Sequence, residues 1–338
     1  MDCAWHCNIL KKRYDMHPAV SGGRALMRRR IPVAPVQASY INRPQGNSIS
    51  MPPTITFTEA LARNRIRLLL IVPLLVAAYY RVVPDMVQQW MQDENYSHGF
   101  LVPLIAGYFL YLRRDELGRA PVVPWNWGVA VLLFGLAQLI LGWLGTEYFT
   151  MRSSLVVVLA GLVLFLFGTA PFRVMALPLG YLLFMVPIPY IVYDAVAFPL
   201  KLFVTRVSVA TLKIAGVSVL REGNIIMFPA TTLEVADACS GIRSLISLLA
   251  LAVALAFFLR IAPWKRWVLV GGAIPIAIVT NASRVIVTGF LAQYMGARAA
   301  EGFFHEFAGL AVFGLAMLLL VSLGALLKGR EQRTGSEQ

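Results

Sequence analysis

Leu233-Glu-Val-Ala-Asp-Ala-Cys-Ser-Gly-Ile-Arg243 runs into an apolar block, Leu245 to Phe258, that carries no charge. Blocks of this kind are what a bilayer selects, since roughly 20 apolar residues in helical form cross its hydrocarbon. Working outward, similar blocks stand at 68–84, 99–112, 127–145, 153–169, 174–192, 268–290 and 306–327. With 58% hydrophobic and only 14% charged residues, the chain reads as a polytopic, all-α membrane protein of about eight transmembrane helices. The transmembrane domain is expected over 67–328, after a basic cytoplasmic segment 1–66 and before a cytoplasmic tail 329–338.

A net charge of +13 raises the question of nucleic acid, and the distribution of the charge answers it. With the N-terminus inside, more than two thirds of the 30 lysines and arginines fall in 1–67, 113–119, 170–173, 260–267 and 328–338, all on the inner side. That is the positive-inside pattern, so a bacterial inner membrane with both termini cytoplasmic is expected and no nucleic-acid partner. A ninth span over 195–219 would reverse the later segments and would place Lys201, Arg206 and Lys213 at bilayer depth. Phe203, Val207, Ala210 and Ile214 instead form a stripe at helical spacing, which predicts an amphipathic helix lying at the outer interface. The β-rich runs Val217–Phe228 and Thr231–Ala236, broken by Gly223-Asn224 and Pro229, predict a short extracytoplasmic β-hairpin leading into Cys239.

The first fifty residues carry Arg28-Arg-Arg30 with scattered prolines and glycines and no sustained apolar run, a composition that cannot bury a core. Cys3, His6 and Cys7 lack the second ligand pair of a zinc site, so no metal and no cofactor is expected. Met51 opens a stretch through Arg63-Asn-Arg-Ile-Arg67 that reads as an ordinary inner-membrane start, so residues 1–50 are expected to be dispensable. No small-residue cleavage site follows the first span, which reads as a retained anchor.

A lone cysteine near a helix end is most often a small buried hydrophobe. Topology argues otherwise for Cys239, because two more unusual residues arrive at the same outer face: Arg284 within the seventh span and His305 at the start of the eighth. An arginine inside a span is expensive and points to function, although snorkelling to the interface is its plain alternative. A thiol, an imidazole to move its proton and a fixed cation are the parts that cysteine acyl chemistry needs. His98, in Tyr96-Ser-His-Gly-Phe100, also falls outside; it is either a rival base or a residue closing a loop beside Gly99. Asn281 would orient His305, line an oxyanion site, or satisfy a helix broken near Pro275. Ser240, flanking the thiol, is a further supporting candidate.

Ala238-Cys-Ser-Gly-Ile-Arg243, Asn281-Ala-Ser-Arg284 and His305-Glu-Phe-Ala-Gly309 resemble, in order and spacing, the three motifs of the exosortase/archaeosortase family, and Tyr96-Ser-His-Gly-Phe-Leu-Val-Pro103 resembles its N-terminal signature. The resemblance covers about 68–327. It implies a membrane cysteine protease and transpeptidase acting on exported proteins whose C-terminal sorting signal joins a motif such as Pro-Glu-Pro, a transmembrane helix and a basic tail. It also implies Cys239 as nucleophile, with Arg284 and His305 completing the site, and the lipid bilayer as the shared solvent of enzyme and substrate. Two other classes compete: a transporter, which usually shows internal repeats and helices broken at midplane, and a non-catalytic subunit of an exopolysaccharide export system, which needs no nucleophile. Fast labelling of Cys239 by a thiol probe separates them from an enzyme.

Overall fold

A computed structural model describes residues 55–229, 232–235, 241–259, 261–295 and 303–335, with side chains of the last helix given over 308–329. The described chain opens with α1 (Phe57–Arg63), α2 (Arg65–Tyr79) and α3 (Val82–Gln92). Thr56 and Glu59 start α1 with a reciprocal cap, the Thr56 N–H donating to Glu59 Oε2 at 2.9 Å. α2 and α3 meet at a 55° bend. α3 is two-faced: Met86 and Trp90 are buried, whereas Asp85, Gln88 and Gln92 are exposed. A 3-10 segment, Glu94–Phe100, then leads into α4 (Leu101–Leu112) and α5 (Arg114–Arg119).

α6 (Gly128–Leu144) and α7 (Tyr148–Phe167) form the tightest helix pair. Gly128, Gly135 and Gly142 recur at every seventh residue, and a Cβ on each would stand 2.4, 2.9 and 2.8 Å from backbone atoms of Phe165, Val158 and Met151. Small residues let helix backbones meet where lipid offers no hydrophobic drive to associate. α8 (Thr169–Tyr181) continues as a 3-10 turn to Met185, and α9 (Tyr190–Ile214) begins after Pro187 and Pro189. The sequence reading of one span over 174–192 is corrected here: the two prolines supply no N–H and disfavour helix in the residues before them, so the segment is divided.

The β-rich segment forms a three-stranded antiparallel sheet rather than a lone hairpin. β1 (Leu220–Glu222) turns through Gly223, at φ 60°, and Asn224 into β2 (Ile225–Met227), which also pairs with β3 (Thr232–Glu234). The third strand adds because Leu233 reaches the core cluster that holds Ile226 and Val235.

α10 (Ile242–Phe258), α11 (Pro263–Met295) and α12 (Phe303–Gly335) make the other half of the bundle. Their register is fixed by small contacts at both ends. Gly309 lies beside Arg284, Gly272 beside Leu323, and Lys265 Nζ donates to the Leu327 carbonyl at 3.0 Å, so α11 and α12 run antiparallel. From Lys265 to Arg284 is nineteen residues, about 28 Å at roughly 1.5 Å per residue, close to the ~30 Å of a hydrocarbon core. α10 fits the same interval, with Gly241 against Asn281 at one end and Leu255 and Leu259 against Gly324 at the other. Between them Leu248, Ala252, Leu269, Ala273, Ala316 and Leu320 pack as a buried seam.

The last eleven residues of α11 continue beyond Arg284 and pack on α9 and the sheet. Leu212 of α9 meets Gly289, and Val204 shares the cluster with Ala282, so α9 stands alongside this extension of α11. The inner face of α9 is Val204, Ser208 and Leu212. That face is offset from the stripe expected from sequence, of which Phe203 and Ile214 are exposed. Among the described residues, α7, α9, α11 and Ala308–Gly329 of α12 are long and apolar enough to cross a membrane, and α2 with α3 makes a fifth if the bent pair is one span. α6, α10 and α8 with its 3-10 turn are shorter apolar helices.

Candidate functional site

Asn281 and Arg284 are three apart on α11 and therefore share a face. Asn281 is buried and presses on the start of α10: a Cβ on Gly241 would stand 2.7 Å from its Nδ2. Gly241 also caps α10 at φ +83°, a left-handed conformation that penalises side chains. Two independent constraints therefore demand glycine two residues after Cys239. Half-buried Arg284 meets the third motif in the same manner, since a Cβ on Gly309 would stand 3.2 Å from its Nη2 and 3.4 Å from its Cζ. A side chain there would push the guanidinium aside by a few tenths of an ångström.

The fourth motif closes on the same end of the bundle. Arg243, in the first turn of α10, donates from Nη1 to Glu94 Oε2 at 2.6 Å and from Nε to Asn95 Oδ1 at 3.2 Å. One turn further along, His98 is held between three elements. Its Nε2 lies 3.2 Å from the Phe184 carbonyl and must donate, which leaves Nδ1, 3.3 Å from Ser247 Oγ, to accept in the neutral ring. Burial lowers the His98 pKa from its ordinary value, against the opposing pull of hydrogen bonds with backbone at Phe184 and Asn95. Gly99 packs under the Trp90 indole, whose Nε1 donates to the Met185 carbonyl at 2.9 Å. Both ring nitrogens of His98 are thus engaged, tying the 3-10 segment to the turn at Phe184 and to α10.

Asn281, Arg284, Gly241, Gly309 and the Tyr96–Phe100 turn therefore share one end of the bundle. Cys239 and Ser240 lie outside the described residues, as does the side chain of His305; residue 305 itself falls in α12, one turn before Gly309. Among the described residues no group of histidine, cysteine or carboxylate side chains could hold a metal ion. The opposite end collects cations: Arg113 stacks on Phe257 in the last turn of α10, Arg114 and Arg119 follow in α5, and Lys265 is seated on α12.

Comparison with known families decides the matter of kinship. The model of the family described as Transmembrane exosortase matches residues 90–322, well over half of the chain. The chain belongs to the transmembrane exosortase family. Its matched region takes in the Tyr96–Pro103 signature and all three later motifs, and leaves the first fifty residues outside. No curated protein and no solved structure matches this exosortase.

One residue escaped the sequence reading. Arg152, which borders the apolar block 153–169, is in the first turn of α7 and only 7% exposed. It donates from Nη1 to Gln89 Oε1 and stacks on the Tyr148 ring. The available signal was an outer arginine bordering an apolar block with no acidic residue three or four positions away, the nearest being Glu147, five before it.

Proposed function

We propose that this exosortase is a membrane cysteine transpeptidase that cleaves Pro-Glu-Pro-type C-terminal sorting signals of exported proteins and passes the acyl product to an acceptor. The observation that carries the reading is the double glycine contact, Gly241 on Asn281 and Gly309 on Arg284, which draws the segments flanking Cys239 and His305 to one layer. In this reading the Cys239 thiolate attacks the scissile carbonyl, and His305 takes the thiol proton and returns it to the leaving amine. Arg284 stabilises the negative charge, with Asn281 in support. The acyl-enzyme then passes to an amine or to water.

Orientation follows from charge. The end bearing Arg113, Arg114, Arg119 and Lys265 faces the cytoplasm, and the end bearing Arg284 faces outward, in a bacterial inner membrane. α2, α4, α6, α7, α8, α10, α11 and α12 then make eight passes. The second half of α9, the sheet and the extension of α11 rise above the outer surface, since Val209 and Leu212 pack with Val285, Gly289 and Ala292, beyond Arg284. Arg206 and Lys213 are then at the interface rather than in hydrocarbon.

The test is a co-expressed exported reporter bearing such a signal. Wild-type chain should release the C-terminal fragment, and Cys239→Ala at equal membrane abundance should not. Equal release by both would end the covalent reading.

A further inference from the structure

An open cleft of about 780 Å³ lies at the outward end, between α3, the 3-10 segment, the start of α7 and the start of α9. Arg152 lines it, nine-tenths buried, and makes no ion pair among the described residues; its recorded partners are an amide and an aromatic face. No carboxylate among the described residues is in direct contact with this guanidinium, Asp85 and Glu147 acting on it only from longer range, so a carboxylate ligand in contact would offset its desolvation. The carboxylates nearest the cleft are otherwise engaged. Asp93 accepts from the Asn95 N–H at 2.9 Å and from the Tyr190 hydroxyl at 3.2 Å, and Glu94 is held by Arg243. Asp85, the remaining one, lies outside ion-pair range of Arg152.

The cleft also reaches the start of α10, the helix that follows Cys239 in sequence. Glu94 and Asn95 form part of its wall and are the same two residues that grip Arg243, four positions after Cys239. An extended peptide advances roughly 3.3 Å per residue, so a side chain a few residues from the scissile bond is within reach of a neighbouring cleft.

From this juxtaposition we infer that Arg152 and the cleft around it form a specificity subsite that takes the carboxylate of an acidic side chain in the substrate's sorting signal. The inference rests on the peptidase reading for its substrate, and its test does not depend on catalysis. Full-length Cys239→Ala protein in lipid nanodiscs is titrated with acetylated Ala-Ala-Pro-Glu-Pro-Ala-Ala amide and with its glutamine twin. A charge-assisted bidentate contact predicts about a tenfold preference for the glutamate peptide. Arg152→Gln in the same background should erase the preference. Arg81→Gln, which removes an exposed outer cation that does not line the cleft, should keep it, which separates loss of the Arg152 guanidinium from a general loss of outer charge. Arg152→Lys, which keeps the charge if the glutamine variant does not accumulate, should retain a weaker preference. Equal binding of the two peptides, or a preference that survives Arg152→Gln, overturns the subsite. Failure of the peptidase reading would show instead as reporter cleavage unaffected by Cys239→Ala.

Discussion

α11 carries two cations at the two ends of one membrane thickness, and they are housed in opposite ways. Lys265 is 8% exposed and donates to the Leu327 carbonyl, so its ammonium serves as a tie between two helices. Arg284, nineteen residues on, is met by a residue without a side chain, Gly309, and shares its face with Asn281. One end commits its cation to a carbonyl of the neighbouring helix; at the other, the neighbouring helix passes the guanidinium with a glycine. The contrast teaches that burial alone does not mark a functional charge; on the proposed reading, the cation met by a glycine is the one that acts.

The sharpest way to break that contrast is to remove the reactive group next to the Arg284 end. Cys239→Ala and Cys239→Ser are each expected to lower reporter processing by at least about a thousandfold while the protein accumulates normally, as loss of a covalent nucleophile does. Processing near wild type in either variant removes the reason for the contrast. Next in size, Gly241→Ala meets both a left-handed φ and a 2.7 Å approach to Asn281 Nδ2, so activity should disappear together with about 1–2 kcal/mol of stability. Gly309→Ala should lower processing more than about tenfold by pushing the guanidinium aside, with little change in thermal unfolding. Gly314→Ala, on the same helix with open space beside it, should be silent. Equal effects at 309 and 314 would mean that the Arg284 contact is incidental.

The two cations can be compared directly. Arg284→Lys should be nearly as damaging as Arg284→Ala, because an ammonium cannot present the guanidinium fork. Arg243→Lys should be mild, since Glu94 is 79% exposed and such a pair contributes little. Lys265→Ala should lower the unfolding temperature and leave the activity of the folded fraction intact. Full activity in Arg284→Lys would reduce that site to a requirement for charge.

A smaller effect is expected in acid. The folded pKa of His98 is depressed, so the neutral ring contributes stability that is present above about 6.5, the unfolded value, and is lost as pH falls toward the folded one. His98→Gln should flatten the slope of unfolding temperature against pH below about 6.5, and an unchanged slope would remove His98 as its source. The smallest effect of all is expected from starting the chain at Met51, which should leave processing unchanged; a normally expressed but inactive product would assign the leading segment a role.

Much of this layout was legible in the sequence because lipid imposes a coarse rule: apolar blocks and the placement of cationic runs, such as Arg113, Arg114 and Arg119, can be read without knowing any contact. The four motifs were legible for the same reason that they cluster, each combining glycine or a charge with the edge of an apolar block. Three features were not. The division at Pro187 and Pro189 was hidden because both flanks are apolar, so hydropathy ran through the break. The inner face of α9 could not be read, because Ser208 faces inward among Val204 and Leu212, against the polar-out rule. Arg152 was hidden because its neighbours in the cleft come from α3 and α9, distant in sequence.

The glycine seam between α6 and α7 settles a question of traffic. On the proposed reading, a substrate anchored by its own helix would reach the outward end sideways through lipid, by way of a gap between two neighbours of the bundle. Where Gly128, Gly135, Gly142 and Gly161 bring two backbones into contact along their whole length, no such doorway can open without tearing the pair apart. α6 and α7 are a closed wall, and an arriving helix has to dock on another flank.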